Sequence, residues 1–158
     1  FRIGVGTGEI HQVRISNIAI AKAGRMISFC TSWEGIGNAQ IEEVSFCNIS
    51  AHNVLSVIKF ITEIGSVRNI LLENLNVKTK GGFFITPKSK GAVSDIVFRN
   101  LNVELYQKQV PEEKNLINLS NTDRVTFDSV NLICKKEDWE NLIHSESNTD
   151  LTINNCNF

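Results

Sequence analysis

Ile96-Val97-Phe98-Arg99-Asn100-Leu101-Asn102-Val103 is the stretch that decides the fold of this chain. It reads apolar-x-apolar-x-Asn-apolar-x-apolar, a strand-like alternation interrupted by one asparagine. The same line returns at Val13-Arg14-Ile15-Ser16-Asn17-Ile18-Ala19-Ile20, Val44-Ser45-Phe46-Cys47-Asn48-Ile49 and Ile70-Leu71-Leu72-Glu73-Asn74-Leu75-Asn76-Val77. It returns again at Val125-Thr126-Phe127-Asp128-Ser129-Val130-Asn131-Leu132 and Leu151-Thr152-Ile153-Asn154-Asn155-Cys156-Asn157-Phe158. The asparagine column falls at 17, 48, 74, 100 and 155, with Ser129 standing in once, so the steps are 31, 26, 26, 29 and 26 residues. A repeat of that size means a solenoid, whose units bury their apolar faces only against their neighbours.

A second short apolar run follows each asparagine where the linker is short. These runs are Met26–Phe29, Val57–Phe60, Phe83–Thr86, Leu116–Leu119 and Leu142–His144, and Phe1–Gly4 matches them. They are rich in Ile, Val and Phe, or alternate, which is the signature of strands. Only Lys135 to Leu142 could form a helical turn or two. Each unit therefore holds two or three short strands, and the predicted fold is all-β: a right-handed single-stranded parallel β-helix of about six coils. At about 4.8 Å per coil the rod would be roughly 25–30 Å long. A leucine-rich repeat is the main rival, but its asparagine comes three residues after the last frame leucine. Here it comes two after, as in Ile15 to Asn17, and no Leu-rich helical half follows.

Asparagine suits a corner where the strand must turn through a left-handed conformation. Stacked at one corner, each amide can donate to the carbonyl of the next. The expectation is a ladder through Asn48, Asn74 and Asn100, interrupted at Ser129. The frame residues Val13, Ile15, Ile18, Val44, Phe46, Ile70, Leu72, Ile96, Phe98, Val125, Phe127 and Ile153 are expected as buried columns.

The chain has 158 residues, 42% apolar and 21% charged, enough for one domain spanning 1–158. It begins and ends inside a repeat with no capping unit, so it reads as an uncapped portion of a longer chain. Its net charge of −1 with interspersed signs points to neither nucleic acid nor a charged membrane surface. No apolar run is long enough for a membrane span. Cys30, Cys47, Cys134 and Cys156 have no metal spacing. Cys156 sits at an apolar frame position and is expected buried, Cys47 at an outward one. A Cys30–Cys47 disulfide stays open as an alternative.

Phe1-Arg2-Ile3-Gly4-Val5-Gly6-Thr7-Gly8, followed by Val13-Arg14-Ile15-Ser16-Asn17-Ile18, resembles a segment of the polygalacturonase family of glycoside hydrolases. The repeats at 67–77 and 93–103 are also similar to that family and its pectin-active β-helix relatives. The resemblance covers the chain at the level of fold and is specific in sequence only over 1–30. It implies polysaccharide hydrolysis and an extracellular or periplasmic setting. It also implies that the paired catalytic acids and Gly-His-Gly lie upstream of Phe1. The next family motif, Arg-Ile-Lys, should fall near Arg25-Met26-Ile27-Ser28-Phe29-Cys30. With Arg25 as its Arg, Ile27 stands where the Lys belongs. With Ile27 and Phe29 inward, Ser28 and Cys30 replace both. This stretch would therefore supply scaffold and one end of a substrate groove in a divergent relative. A non-catalytic carbohydrate-binding or adhesive module is the alternative, and a lyase or epimerase a third.

Glycoside hydrolysis needs two carboxylates flanking the scissile bond. Glu42-Glu43, Glu112-Glu113 and Glu137-Asp138 all fall in turns or inserted loops, and none is assigned a catalytic role. His11, His52 and His144 occupy three different repeat positions and do not converge on a metal, and no cofactor is implied. The remaining signal is basic. Arg2, Arg25 and Lys59 lie on or beside one strand column in successive units, suited to the carboxylates of an acidic polysaccharide or oligosaccharide. Trp33, in the loop from Thr31 to Gln40, can offer a ring to a sugar face. Trp139 is expected to pack.

Overall fold

The computed structural model describes residues 1–4, 6–106, 114–134, 139–147 and 149–158. Among them there is no helix. Eleven strands form one parallel sheet wound into a solenoid of about five turns, so the parallel β-helix expected from the repeat is present. Each pass of the frame is a strand: β2 (Glu9–Ile20), the first half of β4 (Gln40–Ile61), β5 (Ser66–Thr79), β7 (Val93–Leu105), β9 (Thr122–Ile133) and β11 (Thr149–Asn154). They stack in that order. Each second apolar run is also a strand: β1 (Arg2–Gly4), β3 (Ala23–Cys30), the second half of β4, β6 (Phe83–Ile85), β8 (Asn115–Ser120) and β10 (Asn141–Glu146). These form the other stack. The first half of the helical turn expected at Lys135–Leu142 falls outside the described residues, and its end belongs to β10.

Register follows the repeat residue by residue. Ile15, Phe46, Leu72, Phe98, Phe127 and Ile153 occupy one column, and Val13, Val44, Ile70, Ile96, Val125 and Leu151 another. The extra residues of the longest step go into the loop Thr31–Ala39, so the register survives the change in spacing. Along the axis the rings of Phe98 and Phe127 stack at 4.7 Å with 10° between planes. Phe83 meets both edge-on at 5.4 and 6.1 Å. Phe29 and Phe60 stack at 4.9 Å in the earlier coils. Trp139 joins this core, as expected.

Three frame residues expected in the core, Val13, Ile15 and Ile18, are only partly buried, and Ile153 is 43% exposed. They lie in the first and last frame strands of the stack, which have a neighbour on one side only. Cys47 is also corrected: it is on the outward column yet buried. Cys156 is partly buried against the core, with its thiol donating to the Asn154 carbonyl at 3.1 Å. Cys30 and Cys47 are both free thiols, so they are not joined.

Asn17, Asn48, Asn74, Asn100, Ser129 and Asn155 all have φ between 51° and 59°, the left-handed corner that selects asparagine. The ladder is present. Asn48 donates to Asn17 at 3.1 Å, Asn74 to Asn48 at 3.0 Å and Asn100 to Asn74 at 2.6 Å. It stops at Ser129, whose hydroxyl turns to the Asp128 carboxylate at 3.3 Å. These amides are exposed rather than buried, so the ladder orders a surface corner. Two residues further along each strand a second ladder runs Asn157 to Asn131 to Asn102 to Asn76, at 3.0, 2.8 and 3.3 Å. Ser129→Asn should therefore join Asn100 to the corner above it, stabilising the fold by about 0.5–1.5 kcal/mol. Equilibrium denaturation measures this; no change or a loss would mean that coil spacing forbids the bond there.

A second left-handed corner precedes the frame, at Gln12, Glu43, Asn69, Asp95, Arg124 and Asp150, with φ from 49° to 57°. The sequence reads this position as ordinary solvated polarity. In the structure it is a turning point held by charge. Asp95 takes the Arg124 guanidinium through two bonds, at 2.5 and 2.7 Å. That contact holds the Asp95 carboxyl below its ordinary range.

Candidate functional site

Four short features of sequence converge on one face of the solenoid. Arg2 and Lys59 share a column with Ser28 between them, because β1, β3 and β4 pair Arg2 with Ser28 and Ser28 with Lys59. Arg25 lies three residues earlier on β3, paired with Ser56. The three cations therefore form a triangle rather than a single row. They line one open groove with Phe1, Gly24, Ser28, Leu55, Ser56 and Phe84, about 530 Å³ in volume.

The pairing scheme explains the groove's chemistry. Ile27 and Phe29 are fully buried, which leaves Ser28 on the groove side of β3, in register with Lys59 and Phe84. The Ser28 side chain is buried, at 4% exposure, and its hydroxyl has no hydrogen-bond partner. An unpartnered buried hydroxyl is costly, and a ligand oxygen is one way to satisfy it. Among the described residues no carboxylate lines the groove. Among the described residues, Arg25 and Lys59 have no ion-pair partner, whereas Lys78, Lys88, Arg99, Lys114 and Arg124 are each paired with an acid.

Trp33 does not line this groove. Its backbone pairs with Ile36 across a tight turn, Trp33 N–H to Ile36 O at 2.8 Å and Ile36 N–H to Trp33 O at 2.9 Å. Glu34 and Gly35 fill the turn with φ of 52° and 77°, the both-positive geometry of a type I′ hairpin. The ring is 46% exposed and carries the Arg2 guanidinium 5.5 Å from its centroid. Trp33 thus steadies Arg2 from behind the groove through a cation–π contact.

Among the described residues the acid pair Glu42-Glu43 does not supply a second kind of site. Glu43 is an exposed corner residue, and Glu42 faces His11 at 3.9 Å. Glu112-Glu113 and Glu137-Asp138 lie outside the described residues. His52 is exposed, and His144 lies 3.8 Å from Glu146. Among the described residues no group of His, Cys, Asp and Glu is arranged to hold a metal ion. No described helix is long and apolar enough to cross a membrane.

Sequence reasoning missed the groove's surroundings. Lys22, Asn53 and Lys80 cluster at the adjoining corner. Their signal was present at a nearly constant offset, since Lys22 and Asn53 stand five residues after Asn17 and Asn48, and Lys80 six after Asn74.

Comparison of the chain with protein-family models, with curated proteins and with solved structures finds no match.

Proposed function

We propose that this chain is the saccharide-gripping part of a polysaccharide-active β-helix, polygalacturonase-like in kind, that holds an acidic glycan in the groove of Arg2, Arg25 and Lys59. One observation carries the reading: three cations surround a groove that no described carboxylate lines, and a buried hydroxyl with no partner lies between two of them. An anionic sugar meets each part of that arrangement. Its carboxylate takes the guanidinium and ammonium donors, and a sugar or carboxylate oxygen takes the Ser28 hydroxyl. Leu55 and Phe84 offer apolar surface to the ring faces.

Cleavage is a different demand. It needs an acid and a base or nucleophile at a set separation, and the groove's own residues offer neither. Binding is therefore the role assigned to these residues. Titration calorimetry with oligomers of a uronic acid, against neutral oligomers of the same length, tests it. The uronide should bind and weaken with salt, and the neutral chain should not bind. Arg25→Ser with Lys59→Ser should weaken uronide binding by roughly tenfold, as expected for two exposed charge contacts of about 0.7 kcal/mol each. Equal binding of charged and neutral chains would sink the proposal.

A further inference from the structure

The groove does not end at Arg25. Gly24 and Leu55 line it on one side and also line a second hollow, together with Lys22, Ala23, Asn53 and Lys80. Among the described residues this second hollow also has no carboxylate in its lining. Lys22 has no ion-pair partner among the described residues, so five cations, Arg2, Arg25, Lys59, Lys22 and Lys80, border one continuous two-lobed surface. The far rim is ordered. The Tyr106 hydroxyl donates to Asn53 Oδ1 at 2.7 Å, and the Lys80 ammonium lies 5.9 Å from the centroid of the same ring. That arrangement leaves an exposed aromatic face, 45% accessible, beside a positive charge. Between the lobes stands a residue with no side chain, and a Cβ built on Gly24 would meet nothing within 4 Å. The passage is open, and Gly24 is not in a left-handed conformation, so no backbone demand accounts for the glycine there.

We propose that Lys22, Lys80, Asn53 and Tyr106 form a second anion-binding lobe, continuous with the first across Gly24, so that the ligand is an acidic oligosaccharide long enough to set an anionic group in each lobe. This rests on the reading of the first lobe and adds a length requirement to it. From Lys22 to Arg25 is three residues of chain, about 10 Å in extended form. That exceeds a single sugar ring. The first lobe takes one charged sugar and the second takes a later one, with Tyr106 beside it as a stacking face. Linking the two contacts makes the second intramolecular, so affinity rises with chain length until both lobes are filled.

The experiment is a calorimetric length series, using oligouronides from the dimer upward on the full chain, with three variants. In the parent chain, affinity should climb with length and then level off. Lys22→Ser with Lys80→Ser should remove the climb, weakening the longest oligomer by roughly tenfold while leaving the shortest binder unchanged. Gly24→Leu should also remove the climb with length by closing the passage; Gly24 lines the first lobe as well, so this variant is read only by the lost length dependence, and with nothing within 4 Å of that Cβ the fold should persist. Tyr106→Ser should give a smaller loss confined to long oligomers. If long oligouronides bind but these variants bind them as the parent does, the second lobe is overturned and the first stands. If no acidic oligosaccharide binds, both fall. Tighter binding of a single-stranded oligonucleotide than of any oligouronide would overturn the saccharide assignment for both lobes.

Discussion

Phe98→Ala is expected to cost about 3–5 kcal/mol of folding stability. The side chain is fully buried, stacked on Phe127 at 4.7 Å and met edge-on by Phe83 at 5.4 Å. Removing it leaves a cavity bounded by strands that cannot close in, because backbone hydrogen bonds fix the coil spacing. Neighbouring coils then lose their common packing surface, and in a solenoid the interface between repeats is a large part of stability. A urea titration followed by circular dichroism should show an earlier midpoint. Amide exchange should rise first in β5, β7 and β9, which pair with or contain this residue. A loss below about 1 kcal/mol would mean that the aromatic column is not what holds the middle coils together.

Phe98 also shows why so much of the fold was legible. Its strand repeats a period-two alternation, and only a pleated strand buries every second residue. The asparagine that breaks the alternation marks a corner, and the corners coincide with left-handed φ at all six positions. The second ladder was written just as plainly, at Asn76, Asn102, Asn131 and Asn157. It stayed hidden because those residues fill a variable position of the frame. Ile153 shows the opposite limit. Its sequence environment matches that of Phe127, yet its exposure is set by whether a further coil covers it, which no local pattern encodes.

The groove was half legible for a related reason. Arg2, Arg25 and Lys59 are near one another in the repeat, but their register depends on how the loops absorb steps of 31 and 26 residues. Pairing Arg2 with Ser28 moves Arg25 out of the row and brings the Ser28 hydroxyl into it. Composition gives no hint of this, since a net charge of −1 conceals five cations gathered on one face. Trp33 stands out in the sequence by its type and by its place in the long loop from Thr31 to Gln40. Its hairpin points the ring toward Arg2, and only the backbone turn determines that.

Gly82→Ala should rival the lower end of the phenylalanine truncation's cost, for a reason that has nothing to do with backbone freedom. Gly82 does not have a positive φ, so alanine can adopt its conformation. What forbids the methyl group is the next coil. A Cβ at this position would lie 1.7 Å from the Leu116 carbonyl oxygen and 2.9 Å from Leu116 Cδ1. The carbonyl belongs to the backbone of β8 itself, and Leu116 is fully buried, so neither can yield as a flexible side chain would. Gly82 is tied on its other side by the Val57 N–H, which donates to the Gly82 carbonyl at 3.1 Å. Relief requires prising β6 from β8, whose pairing is only Phe83–Ile117, Phe84–Asn118 and Ile85–Leu119. The cost should therefore reach or exceed the upper end of the roughly 1–3 kcal/mol usual for overpacking. Gly24→Ala is the control, with nothing near its Cβ, and should be neutral or stabilise by up to about 1 kcal/mol. Denaturation midpoints of the two variants, with amide exchange across β6 and β8, separate the cases. Equal stability of the two alanine variants would show that the coils can spread at Gly82, and that backbone contact between them is looser than the geometry implies.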